Sequence, residues 1–64
     1  MKKNKIVKEL RKFGWDKKRE GANHEVWGNG LGQVDYLPRH ADVNEFTAKS
    51  ILKKAKKFPG KGAK

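Results

Sequence analysis

The chain contains no cysteine. That excludes a disulfide framework, a cysteine-based metal site and a thiol nucleophile. Proline occurs twice and acidic residues seven times in 64 positions. Long apolar runs are also missing. Nothing approaches the 18 or more apolar residues of a membrane span. Near the N-terminus, Ile6-Val7 and Leu10 are interrupted by charge, where a signal peptide needs a continuous apolar stretch. The expected location is therefore the cytoplasm. Two histidines and scattered carboxylates form no metal-ligand spacing, so neither a metal nor another cofactor is expected.

What is abundant is positive charge. Seventeen Lys and Arg stand against seven Asp and Glu, a formal net charge of +10. Such an excess points to a polyanionic partner: nucleic acid, an anionic membrane surface or an acidic protein. The length permits one domain with a thin core, spanning residues 1–64 and ending in a flexible basic tail over 59–64.

Ile6, Val7, Leu10 and Phe13 fall on one face of a helix, with lysines and Arg11 opposite, and Gly14 is the stop signal. The pattern predicts a helix over 3–13. Residues 15–19 are a weak strand candidate opening on Trp15, which is read as core. Gly21-Ala22-Asn23 is a turn, His24-Glu25-Val26-Trp27 a better strand, and Gly28-Asn29-Gly30-Leu31-Gly32 a hairpin connection. Gln33 to Leu37 alternates as the return strand, and Pro38 ends it. Phe46, Ala48, Ile51, Leu52, Ala55 and Phe58 then mark a second helix over 45–58, with Asn44 or Thr47 as its N-cap. The expected fold is α+β, in the order α-β-β-β-α, with two helices on one face of a three-stranded antiparallel sheet. The other face is left free to bind.

No Ser-His-Asp arrangement or carboxylate pair emerges. His24 and His40 are the side chains that ordinarily titrate near neutral pH. A histidine takes the proton from a ribose 2′-hydroxyl, the resulting oxyanion attacks the adjacent phosphate, and Lys or Arg balances the charge that develops. A basic chain without cysteine or metal thus has the minimum kit for cutting RNA. Against this, a histidine at the start of a strand is ordinarily a half-exposed polar residue. Trp27 is either core or an exposed platform for a base, and regular alternation puts it on the face opposite His24 and Val26. Lys53, Lys54, Lys56 and Lys57 are either a solvated helix face or a grip on a phosphate backbone.

The runs Gly14-Trp15, Arg19-Glu20-Gly21-Ala22-Asn23-His24-Glu25-Val26-Trp27, Leu37-Pro38-Arg39-His40 and Asn44-Glu45-Phe46-Thr47-Ala48-Lys49-Ser50-Ile51-Leu52-Lys53 together resemble the HicA family of toxins. These are the ribonuclease halves (mRNA interferases) of bacterial and archaeal HicAB toxin–antitoxin pairs. The resemblance runs from helix one to about Phe58. It implies a fold similar to double-stranded RNA-binding domains and a metal-independent endoribonuclease acting on mRNA, with His24 as the catalytic residue. It also implies an acidic HicB-like antitoxin covering the His24 face. The family's histidine follows a Gly-Ser or Gly-Gly turn. Here Ala22-Asn23 precedes His24, with Gly21 one step earlier, which narrows the backbone freedom at Ala22. The candidate RNA contacts are Lys17, Lys18, Arg19, Asn23, Arg39 and His40. Two other readings stay open: a non-catalytic RNA-binding domain of the same fold, and a protein whose basic face docks an acidic partner.

Overall fold

The computed structural model describes residues 1–61. Helix α1 spans Lys3–Lys12, strands β1, β2 and β3 span Asp16–Glu20, His24–Gly28 and Val34–Pro38, and helix α2 spans Glu45–Lys57. The three strands form one antiparallel sheet in the order β1-β2-β3. This is the expected architecture with small boundary differences: β1 runs over 16–20 where 15–19 was expected, and α2 ends at Lys57 where 58 was expected. Helix α1 stops one residue earlier than the pattern predicted, and β3 includes Pro38, which pairs with His24. On an edge strand the missing proline donor costs no ladder bond.

Local chemistry explains both helix ends. After Phe13, Gly14 takes a positive φ of 84°. Its N–H donates to the Arg11 carbonyl at 3.0 Å, and the Trp15 N–H reaches back to Leu10 at 2.9 Å. That pair of bonds closes the last turn, and glycine supplies the left-handed step at no steric cost. Helix α2 starts at Asn44, whose Oδ1 accepts the Phe46 N–H at 2.8 Å. Asn44, not Thr47, is therefore the cap. Helix α1 has no side-chain cap. Instead the Lys3 N–H donates to the Ala41 carbonyl at 2.9 Å, and Met1 and Val43 exchange two backbone bonds.

The sheet has one dry and one open face. Glu25, Trp27 and Leu37 point to the helices, where Trp27 and Leu37 join Ile6, Leu10, Trp15, Val43, Ala48, Ile51 and Ala55 in one core. Trp27 is 2% exposed, so the platform reading is replaced by the core one. A solvent-facing indole there would have left the helices without their largest sheet contact. Deleting either tryptophan ring would cost about 3–5 kcal/mol, comparable with everything a core of this size supplies.

The opposite face carries His24 and Val26 on β2 and Val34 and Tyr36 on β3, the last two 43% and 56% exposed. Val26 is 9% exposed but stands outside the core cluster, as its parity requires. On β1 the register slips between Lys17 and Arg19, which makes Lys18 the extra residue of a bulge. In a regular ladder Arg19 would oppose Glu25 and face the helices. With the bulge it opposes Val26 and joins the open face. Lys18 is on that face as well, its Cγ 3.3 Å from where a Cβ on Gly28 would stand.

The end of α2 closes the core. The Phe58 carbonyl accepts the Trp15 Nε1–H at 2.8 Å and the Asn29 Nδ2–H at 3.2 Å. Asn29 Oδ1 in turn accepts the N–H groups of Leu31 and Gln33, so this buried amide organises the β2–β3 connection. The Gly60 N–H donates to the Phe13 carbonyl at 2.7 Å. Gly60, within the stretch 59–64 expected as a tail, is thus packed, and residues 62–64 lie outside the described residues. No helix among the described residues is long and apolar enough to cross a membrane.

A Cβ on Gly60 would stand 2.0 Å from the Gly14 carbonyl oxygen, a backbone atom that cannot swing aside. Gly60→Ala is therefore expected to lower stability by about 1–3 kcal/mol, a fall in Tm of about 4–8 °C per kcal/mol for a domain of this size. Thermal unfolding followed by circular dichroism checks it. An unchanged midpoint would mean that the 58–60 segment does not hold α1 and the sheet together.

Candidate active site on the open sheet face

His24 is the first residue of β2, directly after a tight turn. The Gly21 N–H donates to the His24 carbonyl at 2.7 Å, with Ala22 and Asn23 at the tip. No non-glycine residue among those described has a positive φ. Ala22 and Asn23 therefore make this turn without the freedom that a glycine pair would bring. The Arg39 guanidinium donates to the Gly21 carbonyl at 2.8 Å and lies 3.6 Å from the Glu20 carboxylate. A residue from the exit of β3 thus braces the turn that presents His24.

The residue after His24 is anchored on the opposite side. Glu25 is 8% exposed and turned toward the helices. Its Oε2 accepts from Lys3 Nζ at 2.6 Å and its Oε1 from the Trp27 Nε1–H at 3.0 Å. Burial pushes the Glu25 carboxyl up, but these two hydrogen bonds and the Lys3 charge outweigh it and hold the group below its ordinary value. The Glu20 carboxyl, which is exposed, is also held low, by the hydrogen bond and charge of Lys17 and then by the charge of Arg39. Backbone restraint thus comes from both sides of His24, while its own ring is exposed.

The residues flanking His24 across the sheet keep its surroundings open. Pro38 is its partner on β3, and Gly21 follows the end of β1. One row along the same face run Arg19, Val26 and Tyr36, directly opposite one another across the three strands. Diagonal neighbours on one sheet face lie about 7–8 Å apart, within reach of an Arg or Tyr side chain.

The sequence-predicted contacts divide into two groups. Arg19, Asn23, Arg39 and His40 gather at the His24 end of the sheet, all of them exposed. Lys17 opposes Trp27, so it takes the helix side, and its ammonium is paired with Glu20 at 2.9 Å. Lys18 stands beside Gly28, four residues along β2 from His24, about 13 Å at the strand rise. There it lines a separate cleft of about 320 Å³ with Arg11, Asp16 and Asn29. On α2, Lys54 Nζ donates to the Val34 carbonyl at 2.7 Å and so ties the helix to the sheet edge. Among the described residues, no three His, Asp or Glu side chains converge as metal ligands.

Sequence reasoning missed three participants: the Glu25 anchor, the bracing role of Arg39, and Tyr36 on the face of His24. Pairing β3 with Trp27 in the core would have found Tyr36, because alternation then fixes its side.

A scan against family models matches residues 4–56 to the HicA toxin of bacterial toxin–antitoxin systems. No curated protein and no solved structure matches the chain. Likeness to double-stranded RNA-binding domains therefore rests on element order alone.

The lowered Glu25 carboxyl makes part of the stability pH-dependent. The unfolded chain binds that proton more readily than the folded one. The contribution is therefore full above the ordinary value of 4.5 and is lost as pH falls through the lower folded value. Wild type should lose Tm steadily in acid below about pH 5, and Glu25→Gln should start lower at neutral pH and fall less steeply. Parallel slopes for the two proteins in a pH series of melts would show that the Lys3–Glu25 pair is not a source of acid sensitivity.

Proposed function

The chain belongs to the HicA toxin family of toxin–antitoxin systems, and on that premise we propose that it is an endoribonuclease that cuts mRNA without a metal ion, using His24 as general acid–base. The carrying observation is the setting of His24. Its ring is exposed on a basic, uncovered sheet face, while Gly21 and Glu25 hold its backbone from either side. Proton transfer needs a mobile proton on a fixed frame, and this arrangement provides the frame.

In the proposed reaction the His24 ring takes the proton of a ribose 2′-hydroxyl. The 2′-oxygen bonds to the adjacent phosphorus as the bond from phosphorus to the 5′-oxygen breaks. The departing oxygen takes up a proton from the imidazolium or from water. The products are a 2′,3′-cyclic phosphate and a 5′-hydroxyl, and DNA is spared because it lacks the nucleophile. Arg19, one row away on the same face, is the side chain placed to balance charge on the phosphate. Lys18, Asn23, Arg39 and His40 extend the contacts along the backbone, whereas Lys17, on the helix side and paired with Glu20, stands apart from them.

A toxin of this family implies an antitoxin. The proposed partner is an acidic HicB-like protein that covers the His24 face, with complementary charge speeding the encounter. The cytoplasm, where mRNA is translated, is the compartment this reading requires.

His24→Ala should reduce cleavage by about 10²–10⁴-fold. Stability should stay within about 0.5 kcal/mol, since the ring is exposed, and RNA affinity should persist because the cations are untouched. The measurement compares equal amounts of folded wild type and variant on one RNA with EDTA present, with end-group analysis of the products. Equal cleavage by the two proteins would move the active site elsewhere. Binding without cleavage by either would put a non-catalytic RNA-binding domain in front.

With a net charge of +10, affinity for single-stranded RNA should fall with salt, log K dropping by about 0.7 per log unit for each neutralised phosphate. A flat salt titration would favour a protein that docks an acidic partner.

A further inference from the structure

An aromatic ring half in water, on the face that holds the candidate catalytic residue, is the most unusual surface feature near His24. Tyr36 is 56% exposed, although a residue in mid-strand on a small protein has every opportunity to be covered. Its cross-strand partner Val26 gives it a flat apolar base, and Val34, 43% exposed, extends that base along β3. Beyond Val26 stands Arg19, turned onto this face by the bulge at Lys18. The row Arg19–Val26–Tyr36 therefore presents a cation at one end and an exposed aromatic ring at the other, with a nearly buried Val26 between them. His24 lies diagonally adjacent to both.

We propose that this row is a binding site for one unpaired nucleobase, which stacks on the Tyr36 ring while the phosphate beside it meets Arg19 and the ribose reaches His24. The proposal rests on the ribonuclease reading above and adds to it a substrate form: RNA single-stranded at the cut. A base inside a duplex has both faces occupied by its neighbours and offers none to a protein ring. An unstacked base gains by finding one, whatever its identity. Charge complementarity favours this occupant over an apolar protein segment. Lys18, Arg19 and Arg39 surround or border the face, a setting that attracts a phosphate chain and repels a second copy of this basic chain. On one side of the row the Val34 and Lys18 side chains close over Gly28, and on the other Gly21 adds no side chain beside His24.

The phenolic hydroxyl is not required for stacking, whereas the ring is. Tyr36→Phe should therefore behave as wild type, and Tyr36→Ala should lose the site. The probe is a short oligoribonucleotide with 2-aminopurine at one position and 2′-methoxy groups throughout, so that no nucleophile remains and binding is read apart from cutting. Wild type and Tyr36→Phe should quench the 2-aminopurine on binding. Tyr36→Ala should bind about 5- to 150-fold more weakly and leave the fluorescence of bound probe unquenched, with an unchanged circular dichroism melt. Annealing the probe to its complement should weaken binding to wild type. Equal affinity and quenching for Tyr36→Ala, or equal affinity for single- and double-stranded probes, would overturn the proposal. So would a Tyr36→Ala protein that binds RNA normally but loses its antitoxin, because the row would then be a protein-docking surface. None of these results touches the role of His24, which stands or falls on cleavage by His24→Ala. Failure of wild type to bind any RNA would instead remove both.

Discussion

Sixty-four residues supply enough apolar side chains to cover one face of one sheet, and that shortage governs the molecule. A chain this short buries a smaller share of its surface than larger domains do. Both tryptophans are committed to a single layer between the sheet and the two helices. Trp15 enters from the end of α1 and Trp27 from the central strand, and each has its indole N–H satisfied, by the Phe58 carbonyl and by Glu25. Nothing comparable remains for the other face. It is open because both helices pack on the other side of the sheet, and an open face framed by cations is what a polyanion needs.

Placing Trp27 inward has a consequence two residues upstream. Strand alternation turns Glu25 inward as well, and a buried carboxylate without partners would be costly. Lys3 and the Trp27 indole meet both of its oxygens. The same alternation turns His24 outward. One parity choice on β2 therefore settles the core, the buried ion pair and the exposure of the candidate catalytic ring together. A slip of one residue would exchange all of them.

The helices and the order of strands were legible because each rests on a local signal. Ile6, Leu10 and Phe13 show the helical period, Gly14 its stop, and Asn44 a side-chain cap. Other features depend on partners distant in sequence and have no local signature. The bulge at Lys18 is one, since Lys17-Lys18-Arg19 reads as a uniform charge run until β2 is laid beside it. The burial of Glu25 is another, for composition alone places a glutamate in water. Alternation in β3 was visible but ambiguous. Taken alone, Val34 and Tyr36 look like the inward pair, and Leu37 beside Glu25 next to Trp27 decides otherwise. Of the candidate site, His24 and its cations were readable from residue type and resemblance. Their division between the two ends of the sheet was not, because it follows from register.

Restraint and exposure at His24 are not in conflict, because they act on different atoms. The backbone is held by a turn bond, by the Arg39 brace on that turn and by the buried neighbour Glu25, and each of these is made by a group other than the imidazole. The ring is left to form its bonds with a substrate. Arg39 is the most economical part of the arrangement: one guanidinium from the end of β3 ties the β1–β2 turn to the strand that pairs with His24. Movement of that turn is thereby linked to the exit of β3, and through the Lys2–Asp42 bridge to the start of α1. Both chain segments that flank the open face at the His24 end are consequently fastened to the helical layer, so a domain with a thin core still presents its reactive edge on a rigid support.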